Sequence, residues 1–187
     1  MKSSFLAVIL FLSYTWVISS CSSSNESGTP AKNAQVSELV QKQIEAWEKL
    51  SPIAQKTLGS FEGVIRNRNW GDPIDAIQEK LDKSENQPSN GVSYTQYLDD
   101  TDLNFVDISY TGANQQLTVI TFDIFLENPD EVNALKEELE SFLSVKFGKN
   151  STYGKKINWE NEKTRIDLED VSTSKDPGLQ LVFSKRT

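Results

Sequence analysis

The chain has 187 residues, 27 Asp and Glu against 19 Lys and Arg, a formal charge of −8, one cysteine and no histidine. An acidic chain repels nucleic-acid phosphates and is not a polybasic membrane-surface binder. The lack of histidine removes Ser-His-Asp and Cys-His catalysis and His-based zinc sites, and a single cysteine leaves no intramolecular disulfide.

The chain opens MKSSFLAVILFLSYTWVISSC, with Lys2, an apolar run over 5–18, and Ser19 and Ser20 before Cys21. A charged start, a short apolar core and small residues at the cut make an export signal. The run is short of the roughly 20 residues that span a bilayer. Ile18-Ser19-Ser20-Cys21 resembles the lipobox of bacterial lipoproteins, so 1–20 reads as a lipoprotein signal peptide. The resemblance implies that Cys21 becomes the mature N-terminus, carries lipid and ties the protein to a membrane. An incidental cysteine after ordinary cleavage and an uncleaved anchor stand as alternatives. Removing 1–20 would subtract Lys2 alone, leaving the remainder one charge more negative than −8.

Residues 22–34, SSSNESGTPAKNA, carry no large apolar side chain, so 21–34 is expected to be a flexible tether. Ser22, not aspartate, follows the cysteine. By resemblance to enterobacterial lipoprotein sorting this implies the outer membrane, and the serine-rich start resembles surface lipoproteins of Bacteroidetes.

A single α+β domain is expected over 35–187, of a size that buries one core. Its first part, 35–70, reads as N-terminal helices. Val36, Leu39, Val40, Ile44, Trp47 and Leu50 recur at helical spacing, and Ser51-Pro52 interrupts them and starts a second helix. Ile53, Leu58, Phe61, Val64 and Ile65 continue that series toward Arg66, across Gly59 and Gly63.

Asp72-Pro73 predicts a further helix with Ile74, Ile77 and Leu81 as its buried stripe, and strands are expected at 92–98, 103–110 and 116–126. The order then repeats over 128–187. Asn128-Pro129-Asp130-Glu131 caps a helix whose stripe is Val132, Leu135, Leu139, Phe142 and Leu143, with Gly148 at its exit. Strands follow at 155–160, 163–171 and 179–184. The expectation is a duplicated helix plus three-stranded antiparallel meander, repeat 1 over 71–127 and repeat 2 over 128–187, with the N-terminal helices packed on the sheet.

Repeat 2 alternates cleanly. Ile157, Trp159, Ile166, Leu168, Leu179, Leu181 and Phe183 point to one face, and Arg165, Asp167 and Glu169 to the other. In repeat 1, if Leu103 and Phe105 face the helices, an apolar set faces outward: Val106, Ile108, Tyr110, Ile120, Phe122 and Ile124. Such a face must be covered or sticky. The N-terminal helices are one cover; a partner protein or ligand is the other, which makes these six the candidate partner-binding residues. The element order over 72–187 is similar to the β-lactamase inhibitor protein-like fold, which also occurs in small outer-membrane lipoproteins of the barrel-assembly machinery. That resemblance implies a protein-binding sheet.

No phosphate loop or dinucleotide fingerprint is present. Asp99, Asp100 and Asp102 lack the rest of a calcium loop and read as a hairpin turn. Glu160, Glu162, Asp167, Glu169 and Asp170 spread over a wet strand face where glycoside hydrolysis would need two converging carboxylates. No cofactor and no metal is expected. The sequence therefore points to a non-enzymatic lipoprotein, anchored in the cell envelope at the outer membrane and binding another envelope protein through its sheet or its N-terminal helix. A ligand- or glycan-binding module using Tyr94, Tyr97 and Tyr110 is the alternative, and a carboxylate hydrolase a third.

Overall fold

The structure, a computed structural model, describes residues 30–186. The export signal and Cys21 lie outside the described residues. Helix α1 (Pro30–Glu48) begins inside the stretch expected to be tether. Proline is tolerated in a first turn, and the Ala, Lys and Gln residues that follow favour helix.

Ser51 starts α2 (Pro52–Leu58): its hydroxyl accepts the Ala54 amide, and Pro52 occupies the first turn. The helix stops at Gly59, whose φ of 70° lies in the left-handed region. The continuation toward Arg66 therefore does not form. From Ser60 to Gly71 the chain runs as loop and turns, with Arg66 and Asn67 both at positive φ (52° and 57°).

The helix expected after Asp72 is also absent. A single 3-10 turn over Ile74–Ala76 stands there, and Ile77 is already extended. Tertiary bonds compete with the cap. The Asp72 carboxylate accepts the Asn69 amide at 2.8 Å, while the Ile74 amide and the Asp72 carbonyl bond to Gln115 and Leu117. Ile74 and Ile77 are buried all the same, at 6% and 3% exposure.

The strands are β1 (Asp82–Lys83), β2 (Gly91–Tyr97), β3 (Phe105–Ala113), β4 (Gln116–Phe125), β5 (Asn150–Tyr153), β6 (Lys156–Glu160), β7 (Thr164–Asp170) and β8 (Gly178–Lys185). They form one eight-stranded sheet, ordered β1-β2-β3-β4-β8-β7-β6-β5, with every pairing antiparallel. This overturns the expected fold of a helix and three-stranded meander given twice. The first half carries no helix of its own. The two runs of strands fuse through β4 and β8, where Ile120 pairs with Phe183 and Phe122 with Leu181, and two short strands unseen in the pattern extend the edges.

Helix α3 (Pro129–Phe147) forms as expected. Asn128 accepts the Asp130 amide, Gly148 closes the C-terminus, and Val132, Leu135, Leu139, Phe142 and Leu143 are all buried. It packs on β6, β7 and β8, and α1 and α2 pack against it. All three helices join the sheet in one core: Ala54 and Leu58 of α2 and Leu139 and Phe142 of α3 belong to the same cluster as Tyr110, Phe122, Trp159 and Phe183, and Ala46 and Trp47 of α1 pack against it. Trp47 joins α1 to α3 and to the 60–71 loop, with its ring 5.4 Å from Phe61 and 5.6 Å from Phe142. Each large apolar side chain buried here contributes about 1.5–3 kcal/mol. The other face of the sheet carries no helix among the described residues.

Candidate functional site

The six residues expected to form a partner surface, Val106, Ile108, Tyr110, Ile120, Phe122 and Ile124, are 0–1% exposed. They face the helices, so the expected outward-facing patch is corrected to core. The error was one of phase: Leu103 lies in the turn before β3, and it is Phe105 that faces away from the helices. A one-residue shift exchanges the two faces of a strand.

Tyr110 has a second role. Its hydroxyl donates to Glu79 at 2.6 Å, and Glu79 also takes Arg66 at 3.4 Å and Arg68 at 3.2 Å. Arg66 donates as well to the carbonyls of Lys56 and Thr57, satisfying the last turn of α2. Burial alone would raise the Glu79 pKa, but the Tyr110 hydrogen bond, the Arg66 charge and the bonds from both arginines outweigh it and hold the carboxyl below its ordinary range. Burial pushes the Tyr110 hydroxyl well above the usual phenol range, and Glu79 adds to this. A neutral phenol, one carboxylate and two guanidinium groups packed this way tie the 60–71 loop to the sheet. The Nε atoms of both arginines are buried and have no hydrogen-bond partner among the described residues.

Three of the five carboxylates considered for hydrolysis are held in ion pairs. Asp167 pairs with Arg165 at 3.2 Å, Glu169 with Lys156 at 3.2 Å and Glu160 with Arg186 at 3.0 Å. Asp99 accepts the Thr101 amide, the Thr101 hydroxyl and the Asn104 amide, which closes the β2–β3 turn and holds its pKa down. Among the described residues no group of three or more Cys, Asp or Glu is placed to hold a metal ion. Trp159 is fully buried with its indole N–H on Ser144, and Trp70 donates to Thr164 at 2.9 Å. Of the three tyrosines offered for ligand stacking, Tyr94 and Tyr110 are core and only Tyr97 is exposed.

Leu39 and Val40 of α1 are exposed, at 51% and 47%, and a second accessible surface is the helix-free face of the sheet. Cross-strand register aligns Tyr97 with Phe105 and Phe105 with Phe125, giving a three-ring ladder across β2, β3 and β4. Phe105 and Phe125 stack with centroids 4.7 Å apart, and Tyr97 lies 6.4 Å from Phe105. Tyr97 is 48% exposed, Phe125 36% and the neighbouring Leu103 56%. The ladder ends at Gly178 of β8, opposite Phe125. A Cβ there would lie 2.5 Å from the Ile124 carbonyl oxygen, so close strand approach demands glycine and no side chain shields Phe125 from that side. The condition that Phe105 faces the helices hides this ladder from the sequence pattern. The odd-numbered alternation of Tyr97, Phe105 and Phe125 was the signal that could have found it.

The chain matches no protein-family model, no curated protein and no solved structure.

Proposed function

We propose that the protein is a lipid-anchored, non-enzymatic lipoprotein of the cell envelope, at the outer membrane, that binds another envelope protein through the helix-free face of its sheet. The export signal ending at Cys21 supports the anchor, with the polar stretch after it holding the body clear of the bilayer. Among the described residues no helix is long and apolar enough to cross a membrane. The exposed aromatic ladder Tyr97–Phe105–Phe125 is the observation that carries the binding face. Core packing satisfies all other large aromatic rings of the sheet except Tyr153, and three aligned rings, the outer two exposed and the middle one half-buried, suit the aromatic anchors of a protein interface.

A photo-crosslinking amino acid placed at 97 or 125 in native envelopes tests the face. A specific protein should be captured from both positions and not from Tyr153, the 89% exposed residue at the far sheet edge. Capture from all three alike, or from none, would remove the assignment. The Tyr97→Ala and Phe125→Ala variants should keep the native fold and each lose roughly tenfold or more in affinity, as for an anchor worth about 2 kcal/mol. Metabolic labelling with a fatty-acid analogue should mark the wild type, and Cys21→Ser should abolish the mark.

A further inference from the structure

Beside the aromatic ladder, two residues along each strand and so about 6.5 Å away on the same face, runs a row of carboxylates. Asp82 pairs with Thr95, Thr95 with Asp107, and Asp107 with Asp123. Asp107 and Asp123 stand directly opposite one another, an arrangement of like charges that works against strand pairing. Neutral donors orient them and leave the charge intact. The Thr95 hydroxyl and the Gln180 amide each bond to one Oδ1, and neither Oδ2 accepts a hydrogen bond among the described residues. No Lys or Arg pairs with Asp82, Asp107 or Asp123 among the described residues. On the same face over β6 and β7 the opposite holds, with Asp167, Glu169 and Glu160 each in an ion pair. One half of the face is internally neutralised, and the half beside the exposed rings is not.

Resting on the protein-binding reading above, we infer that the partner presents a cationic segment to this half of the face. Its Arg or Lys heads would sit on Asp107 and Asp123, and its apolar stems on Tyr97, Phe105 and Phe125. Flat guanidinium groups and long alkyl stems suit a surface that is aromatic in one row and anionic in the next. The partner's charge then removes the repulsion between the two aspartates, which gives the association both affinity and a strong salt dependence.

The test uses the full-length chain in detergent with three short synthetic peptides, alternating Arg–Leu, Gln–Leu and Glu–Leu, followed by fluorescence anisotropy. The Arg–Leu peptide should bind at least tenfold more tightly than the other two, and lose that advantage at high salt. Asp107→Asn/Asp123→Asn should abolish the preference while raising the melting temperature, because the repulsion is gone. Equal binding of the three peptides by the wild type, or a preference unchanged by the double substitution, overturns the inference. So does a melting temperature lowered by that substitution, or one raised in the wild type by calcium alone through the same aspartates. If cross-linking from 97 and 125 still captures a partner while the aspartates prove irrelevant, this inference falls and the binding face stands. If cross-linking fails as well, both fall.

Discussion

Glu79 is the residue on which the first half of the sheet is fastened. It is the one carboxylate among Arg66, Arg68 and Tyr110, and its side chain is only 14% exposed. Replacing it by glutamine would leave the buried Arg66 and half-buried Arg68 guanidinium groups beside a neutral amide, and should cost about 3 kcal/mol in urea unfolding. Because its folded pKa lies below the unfolded value, the stability it contributes is present above the unfolded pKa and is lost as pH falls through the folded one. The Glu79→Gln variant should therefore show a shallower loss of stability on acidification than the wild type. Lys146 acts with the same sign in a higher pH window. Its ammonium donates to the carbonyls of Phe61 and Gly63, and burial pushes its pKa down to about 8. Between that value and the ordinary lysine range the unfolded chain holds more protons, so this group makes stability rise with pH across the interval. Unfolding measured from neutral to alkaline pH should show that rise in the wild type and a flatter profile in Lys146→Met.

At the scale of elements, caps that touch only their own helix were readable, and caps open to competition were not. Ser51 and Asn128 each accept an amide two or three residues ahead, and both helices start where the sequence places them. Asn128→Ala should lower stability by about 1 kcal/mol with the fold retained, as thermal melts would show. Asp72 has the same local chemistry. Its carboxylate turns back to Asn69, its carbonyl bonds to β4, and Glu79 is drawn toward the arginines, so the helix gives way to one turn. The stop at Gly59 has a signal in the sequence, the glycine itself. Its left-handed backbone leaves no room for a side chain, since a Cβ would fall 2.5 Å from Arg66 Nη1. Gly59→Ala should destabilise the chain by more than the ordinary cost of that exchange and loosen the 60–71 loop, seen as faster amide exchange there.

For the molecule as a whole, the decisive feature is that both runs of strands share one core through β4 and β8, with α3 lying over the second run and α1 and α2 against α3. Ile120 and Phe122 lie near the centre of that sheet and are fully buried. A charge at either position, as in Ile120→Asp or Phe122→Asp, should unfold the domain outright, because an unpaired carboxylate would be buried in an apolar core. Loss of the cooperative melt is the expected result; a folded variant would contradict their place in the core. Tyr97→Asp or Phe125→Asp should leave the melt nearly unchanged, since both rings already reach solvent. That contrast separates the covered face from the open one.

Alternation and helical spacing by themselves determined the α+β class, the place of the six longer strands, the five-residue stripe of α3 and the buried face of the second half. These are local properties, fixed by side-chain period and by caps within reach of their own helix. Only the tertiary structure decided the phase of Val106 to Tyr110 and of Ile120 to Ile124, because period two specifies which residues share a face but not which of the two faces the helices cover. It also decided the fusion at β4–β8, the burial of the Arg66–Glu79–Arg68 network and the aromatic ladder. Each of these depends on contacts between residues distant in the chain, and neither spacing nor propensity encodes such partners one segment at a time.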